Sequence, residues 1–247
     1  MSMDTTLNHS PNFNIKKRKP NQIKFIIFHY TGMKKESEAI ERLTNIESEV
    51  SSHYLIKNNG EIVAMVPDLY EAWHAGVSSW KNFKSLNKHS IGIEISNPGH
   101  DYNYKKFSKK QIGSLKKLSQ FLIKKYRINK KNFLGHSDIA PTRKKDPGEK
   151  FPWKYFAKLG IGKWHSLSKR ILFESRRKKI SLIDEKKFFK NLKKIGYSTK
   201  SPTKLKKDQF LNLITCAFQR RFRQELINGK IDDECLAISQ NLVKKFS

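Results

Sequence analysis

The segment Gly135-His136-Ser137-Asp138-Ile139-Ala140-Pro141-Thr142-Arg143-Lys144-Lys145-Asp146-Pro147-Gly148 constrains this chain more than any other. It sets an imidazole and a carboxylate, His136 and Asp146, ten positions apart on a loop stiffened by proline and glycine. A second imidazole, His29, ends the apolar run Ile23–Phe28 far upstream. Two histidines and one aspartate are a ligand set for a catalytic zinc ion, because three protein ligands leave the fourth tetrahedral corner open for water. Each residue also has an ordinary structural reading. A histidine at a strand end packs in a core, a histidine after glycine caps a turn, and an aspartate before proline starts one. No compact motif of the HExxH kind joins the three, so spacing alone leaves both readings open.

A chain of 247 residues fits one large domain, or a medium domain followed by a small one. Residues 1–21 are polar and contain Pro11 and Pro20, which predicts an extended N-terminal arm. Ile23–Phe28 and Ser90–Ser96 have the length and apolarity of buried strands. Ser52–Lys57 and Glu61–Val66 flank Asn58-Asn59-Gly60, a hairpin signal. Ser37–Val50 and Ser108–Tyr126 carry apolar residues at helical spacing, the second with Leu115, Leu118 and Leu122 inward and lysines outward. Pro67–Asn87 reads as a long aromatic-rich loop, Asn132–Leu134 as a short strand delivering His136, and Phe151–Leu159 as a short helix. After Trp164 the character changes. Residues 166–180 read as a basic linker or linking helix. Leu182–Ile195, Lys207–Arg223 and Asp232–Phe246 read as three helices, broken at Gly196–Pro202 and Asn228-Gly229.

Lys and Arg outnumber Asp and Glu by 51 to 22, a formal net charge of +29. Such a charge attracts anionic partners such as nucleic acid, acidic polymers or membrane surfaces. It is spread along the chain: from His165 onward 21 basic and 8 acidic residues give +13, and the preceding part carries +16. An even spread favours lysine-rich solvated faces or a diffuse polyanion over a dedicated nucleic-acid groove. Cys216 and Cys235 lack a CxxC pattern and read as free, buried thiols. No run approaches the roughly 18–20 apolar residues of a membrane span. Met1–Pro20 has no apolar stretch of the kind a signal peptide needs.

Five motifs, in order, carry a resemblance: His29-Tyr30-Thr31, Ser52-His53-Tyr54-Leu55-Ile56, Trp73-His74-Ala75-Gly76, Ser90-Ile91-Gly92-Ile93-Glu94 and Gly135-His136 through Gly148. Together they resemble the zinc N-acetylmuramoyl-L-alanine amidases of the AmpD/AmiD type, which are related to the peptidoglycan recognition proteins. Phe151-Pro152-Trp153 and Gly160-Ile161-Gly162-Lys163-Trp164 look like the end of that domain, so the likeness covers Ile23–Trp164. It implies an α/β (α+β) fold with a mixed central β-sheet flanked by helices. It also implies hydrolysis of the amide between the lactyl group of N-acetylmuramic acid, plain or 1,6-anhydro, and L-alanine of a stem peptide.

Residue by residue, the resemblance makes His29, His136 and Asp146 the ligands of one Zn2+. Glu94 matches the catalytic acid, passing a proton from the attacking water to the leaving amine. Lys144 matches a lysine that stabilises the oxyanion, with Arg143 and Lys145 as alternatives from the sequence. His74 is expected to line the cleft and touch substrate, and Asn97, just after the strand, to reach the peptide. Trp73 and His53 are read as packing residues, and His9, His89, His100 and His165 as surface or loop residues. Gln219-Arg220-Arg221-Phe222-Arg223 and Gly229-Lys230-Ile231-Asp232-Asp233-Glu234 look like the last part of a three-helix peptidoglycan-binding module. A bundle that merely packs on the catalytic part is the alternative.

The expected organisation is an arm 1–21, an amidase domain 22–165, a linker 166–180 and a small C-terminal three-helix bundle, 181–247. A wall-binding tail would raise the local enzyme concentration at a polymeric substrate. Its removal should weaken binding to intact sacculi more than cleavage of a soluble muropeptide. The expected partners are peptidoglycan or muropeptides, with no nucleic acid and no oligomer implied. The tail suits a bacterial periplasm and the missing signal a cytoplasm. Two rivals remain: a non-catalytic binding module, against which the intact ligand trio and Glu94 argue, and a nucleic-acid binder resting on charge alone.

Overall fold

The computed structural model describes residues 3–200 and 205–246. Phe25–Phe28 is buried along its whole length, as an unbroken apolar run requires, and lies inside a six-stranded sheet. In chain order the strands are β1 (Thr6–Leu7), β2 (Phe25–Phe28), β3 (Tyr54–Ile56), β4 (Ile62–Ala64), β5 (Ser90–Ile95) and β6 (Phe133–Gly135). They are arranged β1-β4-β3-β5-β2-β6. The hairpin pair β3–β4 is antiparallel and the other neighbours run parallel, so the sheet is mixed. Gly60 turns the hairpin at φ +89°, a conformation that side chains with a β-carbon rarely adopt.

The helices are α1 (Glu36–Thr44), α2 (Lys109–Tyr126), α3 (His136–Ile139), α4 (Trp153–Lys158), α5 (Lys169–Ser175), α6 (Leu182–Ile195), α7 (Lys207–Phe222) and α8 (Asp233–Phe246). Ser108 starts α2 with a reciprocal cap: its hydroxyl accepts from Gln111 N–H, and Gln111 Oε1 accepts from Ser108 N–H at 2.9 Å. Alternation along β2 divides the core. Ile26 and Phe28 pack with Leu115, Leu118 and Leu122 of α2 and with Phe156 of α4. Phe25 and Ile27 point the other way and share a core with Phe188 of α6, Phe218 of α7 and Leu242 of α8. The C-terminal helices therefore cover the second face of the sheet near β2 and β6. Burying a large apolar side chain in this seam stabilises it by roughly 1.5–3 kcal/mol.

Several expectations change. The N-terminal arm is not simply extended: Thr6–Leu7 pairs with β4 at the sheet edge, and Phe13–Asn14 pairs with Glu71–Ala72. The helix expected over Ser37–Val50 ends at Thr44, where Asn45 accepts Glu47 N–H and redirects the chain into a short 3-10 turn. The loop Pro67–Asn87 contains a small ribbon, Ser79–Trp80 with Phe83–Lys84. The segment 166–180, read as a linker or linking helix, is partly helical through α5 as expected. His165 is buried rather than at the surface. Both cysteines are free, with Cys235 buried and Cys216 half-buried. The last two residues of the Gly196–Pro202 break lie outside the described residues.

Candidate metal centre and its cleft

Strand register assembles the site. Phe28 of β2 faces Ile93 of β5 on one side and Gly135 of β6 on the other. The next residues along these strands are His29, Glu94 and His136, so the three form one row at the carboxyl ends of parallel strands. That is where open α/β sheets leave a crevice for ligands. Phe28 and Ile93 point toward α2, so His29 and Glu94 point to the opposite side. Asp146 is drawn into the row because Ser137 N–H donates to its carbonyl at 2.9 Å.

His29 Nδ1 lies 2.9 Å from His136 Nδ1 and 3.0 Å from Asp146 Oδ2, and His136 Nδ1 lies 3.1 Å from that oxygen. A tetrahedral zinc with bonds of about 2.0–2.1 Å sets its ligand atoms about 3.3 Å apart. The triangle is close to that size. Neighbouring hydrogen bonds assign the ring protons. The Ser90 hydroxyl donates to the Leu86 carbonyl at 2.6 Å, so it accepts from His74 Nε2–H at 3.1 Å. His74 Nδ1 is then an acceptor, and His29 Nε2–H donates to it at 3.0 Å. His136 Nε2–H donates to the Ala75 carbonyl at 3.1 Å. Both Nδ1 lone pairs therefore converge with a carboxylate oxygen, and no proton is left between them. A cation resolves that repulsion. Burial keeps the His29 imidazole neutral, with its pKa lowered to about 4, and burial also holds His74 well below its usual value. His29, His136 and Asp146 can thus hold a metal ion.

Glu94 Oε1 lies 4.0 Å from His29 Nδ1, and its Oε2 is buried without a hydrogen-bond partner among the described residues. Burial, reinforced by Asp146 and opposed by Lys144, pushes its carboxyl up to about 8. A cleft of about 640 Å³ opens over this group, lined by Tyr30, Trp73, His74, Glu94 and Lys144 among others. Arg143 is tied down: its guanidinium donates to the carbonyls of Ala75 and Val77. The Lys144 side chain has no such partner among the described residues, and its charge acts on Glu94. A larger groove, about 780 Å³, is lined by Lys130, Lys154, Lys158 and Lys245 and holds none of these groups.

Residues 19–149, more than half of the chain, match the family model for N-acetylmuramoyl-L-alanine amidase (Amidase_2). The chain belongs to this amidase family. It is 35% identical over 237 residues to N-acetylmuramoyl-L-alanine amidase AmiD of Escherichia coli, a match covering 91% of this chain and 84% of AmiD. The structure of AmiD with anhydro-N-acetylmuramic acid-L-Ala-D-gamma-Glu-L-Lys superposes with a TM-score of 0.78 at 34% identity, covering 91% of this chain and 90% of that one. The 1,6-anhydro-N-acetylmuramyl-L-alanine amidase AmpD of Haemophilus influenzae is 32% identical over 165 residues, covering 87% of AmpD but only 60% of this chain.

The remaining expected site residues of this amidase fall in different places. His74 lines the cleft but is buried beneath His29, and its main contact is the hydrogen bond that aims that ring. Gly92 is required under it, because a β-carbon there would meet the His74 ring at 2.4 Å. Asn97 does not line the cleft. Its amide donates to the Lys105 carbonyl at 2.9 Å and its oxygen accepts from Gly99 N–H at 3.1 Å, closing a loop. His53 is fully buried, accepting from Gly92 N–H at 3.0 Å. Trp73 Nε1–H donates to Asn14 at 3.2 Å at the cleft wall. Sequence reasoning missed Ser90, which orients His74, and gave no role to Asp138, whose partners are described below.

Proposed function

We propose that this chain is a zinc amidase that cleaves the bond between the lactyl group of N-acetylmuramic acid, plain or 1,6-anhydro, and L-alanine of the stem peptide. The observation that carries the reading is the convergence of two unprotonated Nδ1 atoms and one carboxylate oxygen beside a buried, unpartnered Glu94. His29, His136 and Asp146 would hold the zinc, which when bound would supply a Lewis acid for the scissile carbonyl and a lowered pKa for water. Glu94 takes the proton of the attacking water and returns it to the departing alanine nitrogen. Burial that raises this carboxyl above the usual glutamate range favours its holding the proton it passes to the leaving nitrogen. Lys144 reaches into the cleft without a competing partner and stabilises the negative oxygen of the tetrahedral intermediate. Lys144 and Lys145 make the rim cationic, which suits a stem peptide whose glutamate, γ-linked as in the ligand bound to AmiD, keeps a free carboxylate.

The amidase unit spans 22–165 in this reading, with the arm 1–21 completing the sheet edge and the bundle 181–247 joined through 166–180. The named relatives are bacterial proteins, and this reading puts the chain in a bacterial periplasm or cytoplasm. No described helix is long and apolar enough to cross a membrane. Incubation with an anhydromuramyl tripeptide, with and without chelator, tests the proposal by product mass. Release of the intact tripeptide only without chelator is expected. Uncleaved substrate with zinc-loaded protein would overturn it. Glu94→Ala should abolish turnover while keeping the metal, and loss of zinc instead would show that Glu94 was assigned the wrong role.

A further inference from the structure

Arg221 closes α7 with its guanidinium almost fully buried. Its Nη1 donates to Asp138 Oδ2, its Nη2 donates to the Phe133 carbonyl at 2.9 Å, and its Cζ lies 4.1 Å above the Trp153 ring. Asp138 belongs to α3, the single turn that begins at His136. Its carboxylate also accepts from Tyr197 OH at 2.5 Å and from Gly135 N–H at 2.8 Å. Arg221 and Tyr197 both come from the C-terminal bundle. Phe133 and Gly135 are on β6, the strand that delivers His136. The bundle thus grips the turn that carries His136 through Asp138.

The preceding residue reaches the rim of the same site. Arg220 lies 3.9 Å from Glu149, which is 3.0 Å from His100 Nε2. His100 Nδ1 is 2.8 Å from the hydroxyl of Tyr30, a cleft residue. Two consecutive arginines of one helix therefore contact the two sides of the catalytic loop.

We propose that Arg221 and Tyr197 are positioning residues for the amidase reaction, fixing the His136 turn through Asp138 and making the C-terminal bundle a working part of the metal centre. A buried ion pair that loses one partner leaves an uncompensated charge, which drags its segment toward water. Asp138 is two residues from a ligand, so that movement reaches His136 directly. The match to AmpD covers 87% of AmpD but only 60% of this chain, so this chain holds a large part that AmpD does not match. In this chain the bundle supplies the side chains that neutralise Asp138, so its role extends beyond carrying the enzyme to a polymer.

The inference rests on the zinc amidase reading, and wild-type protein assayed in parallel reports on that reading separately through its own zinc content and turnover. Two full-length variants test the clasp. Tyr197→Phe removes one hydroxyl and keeps the ring packing; Arg221→Gln removes the charge. The readouts are zinc loss to a chelator followed by elemental analysis, kcat and KM on a soluble muropeptide, and Tm. Outer partners of metal ligands typically change affinity or activity by about 10–100-fold when removed. Arg221→Gln is expected at about tenfold or more in zinc retention and kcat, with KM within about twofold, and Tyr197→Phe a few-fold in the same direction. If Arg221→Gln fails to fold, Tyr197→Phe alone decides. Wild-type zinc retention and kcat in the folded variants, with only Tm lowered, would overturn the proposal.

Discussion

Asp138, in α3, and Asp146 stand eight residues apart, and both are buried, yet the protein surrounds them in opposite ways. Asp138 is met by an arginine, a tyrosine hydroxyl and a backbone N–H, so its lone pairs have donors. Asp146 Oδ2 is met by two imidazole nitrogens whose protons are on the far side of each ring. A carboxylate satisfied by donors holds structure together. A carboxylate facing other lone pairs waits for a cation. Asp68 repeats the first arrangement elsewhere, with Tyr54, Tyr126 and Lys125 as its donors. The contrast separates binding from building among acids that look alike in the sequence.

The sharpest way to break the comparison is Asp146→Ala. Removing one of three ligands should leave the purified protein with little zinc and reduce turnover at least about 10³-fold, since the Lewis acid and the activated water go with the ion. Elemental analysis checks it, and unchanged stoichiometry removes Asp146 from the ligand set. His74→Leu should have a smaller effect. It leaves His29 Nε2–H without its acceptor, and a ligand that loses its orienting partner typically loses about 10–100-fold in metal affinity or activity. Weaker zinc retention with unchanged KM supports the orienting role. A raised KM with unchanged zinc retention would instead restore the substrate contact expected from the sequence.

The trio His29, His136 and Asp146 was legible as a group that can hold a metal ion because residue type, order and neighbouring motifs all pointed to the same chemistry. His29 ended an apolar run, and strand register then aligned it with Glu94 and His136, a relation that only pairing creates. The three helices of the tail were legible from periodicity, with bounds near Leu182–Ile195, Lys207–Phe222 and Asp233–Phe246. Their attachment was not. An arginine near a helix C-terminus normally reads as solvated and favourable to the helix dipole, so nothing local announced that Arg221 is buried against Asp138. For Asn97 the converse holds: its place after β5 suggested the peptide, while its amide donates to the Lys105 carbonyl and closes a loop. The two-residue strand Thr6–Leu7 was invisible because its register with Val63 and Ala64 leaves no periodic trace.

The mildest expected effect comes from Asp68, which extends the comparison to pH. Burial alone would raise its carboxyl, but hydrogen bonds from Lys125, Tyr126 and Tyr54 outweigh burial and hold it below the usual aspartate range. A depressed folded pKa stabilises the fold above the unfolded value, near 3.9, and that contribution is lost as pH falls through the folded value. Lys125 is nearly half exposed, so screening leaves the two tyrosine hydroxyls as the main contributors. Asp68→Asn keeps the shape and removes the charge. At pH 7 it should lower Tm by about 2–4 °C, equivalent to ~1 kcal/mol in a chain of this size. The gap should narrow as pH falls below about 3.9, because the unfolded chain takes up its proton before the depressed folded carboxylate does. A gap that stays constant from pH 7 to pH 3 would mean that ionised Asp68 is not what those donors stabilise, and the likeness to Asp138 would fail.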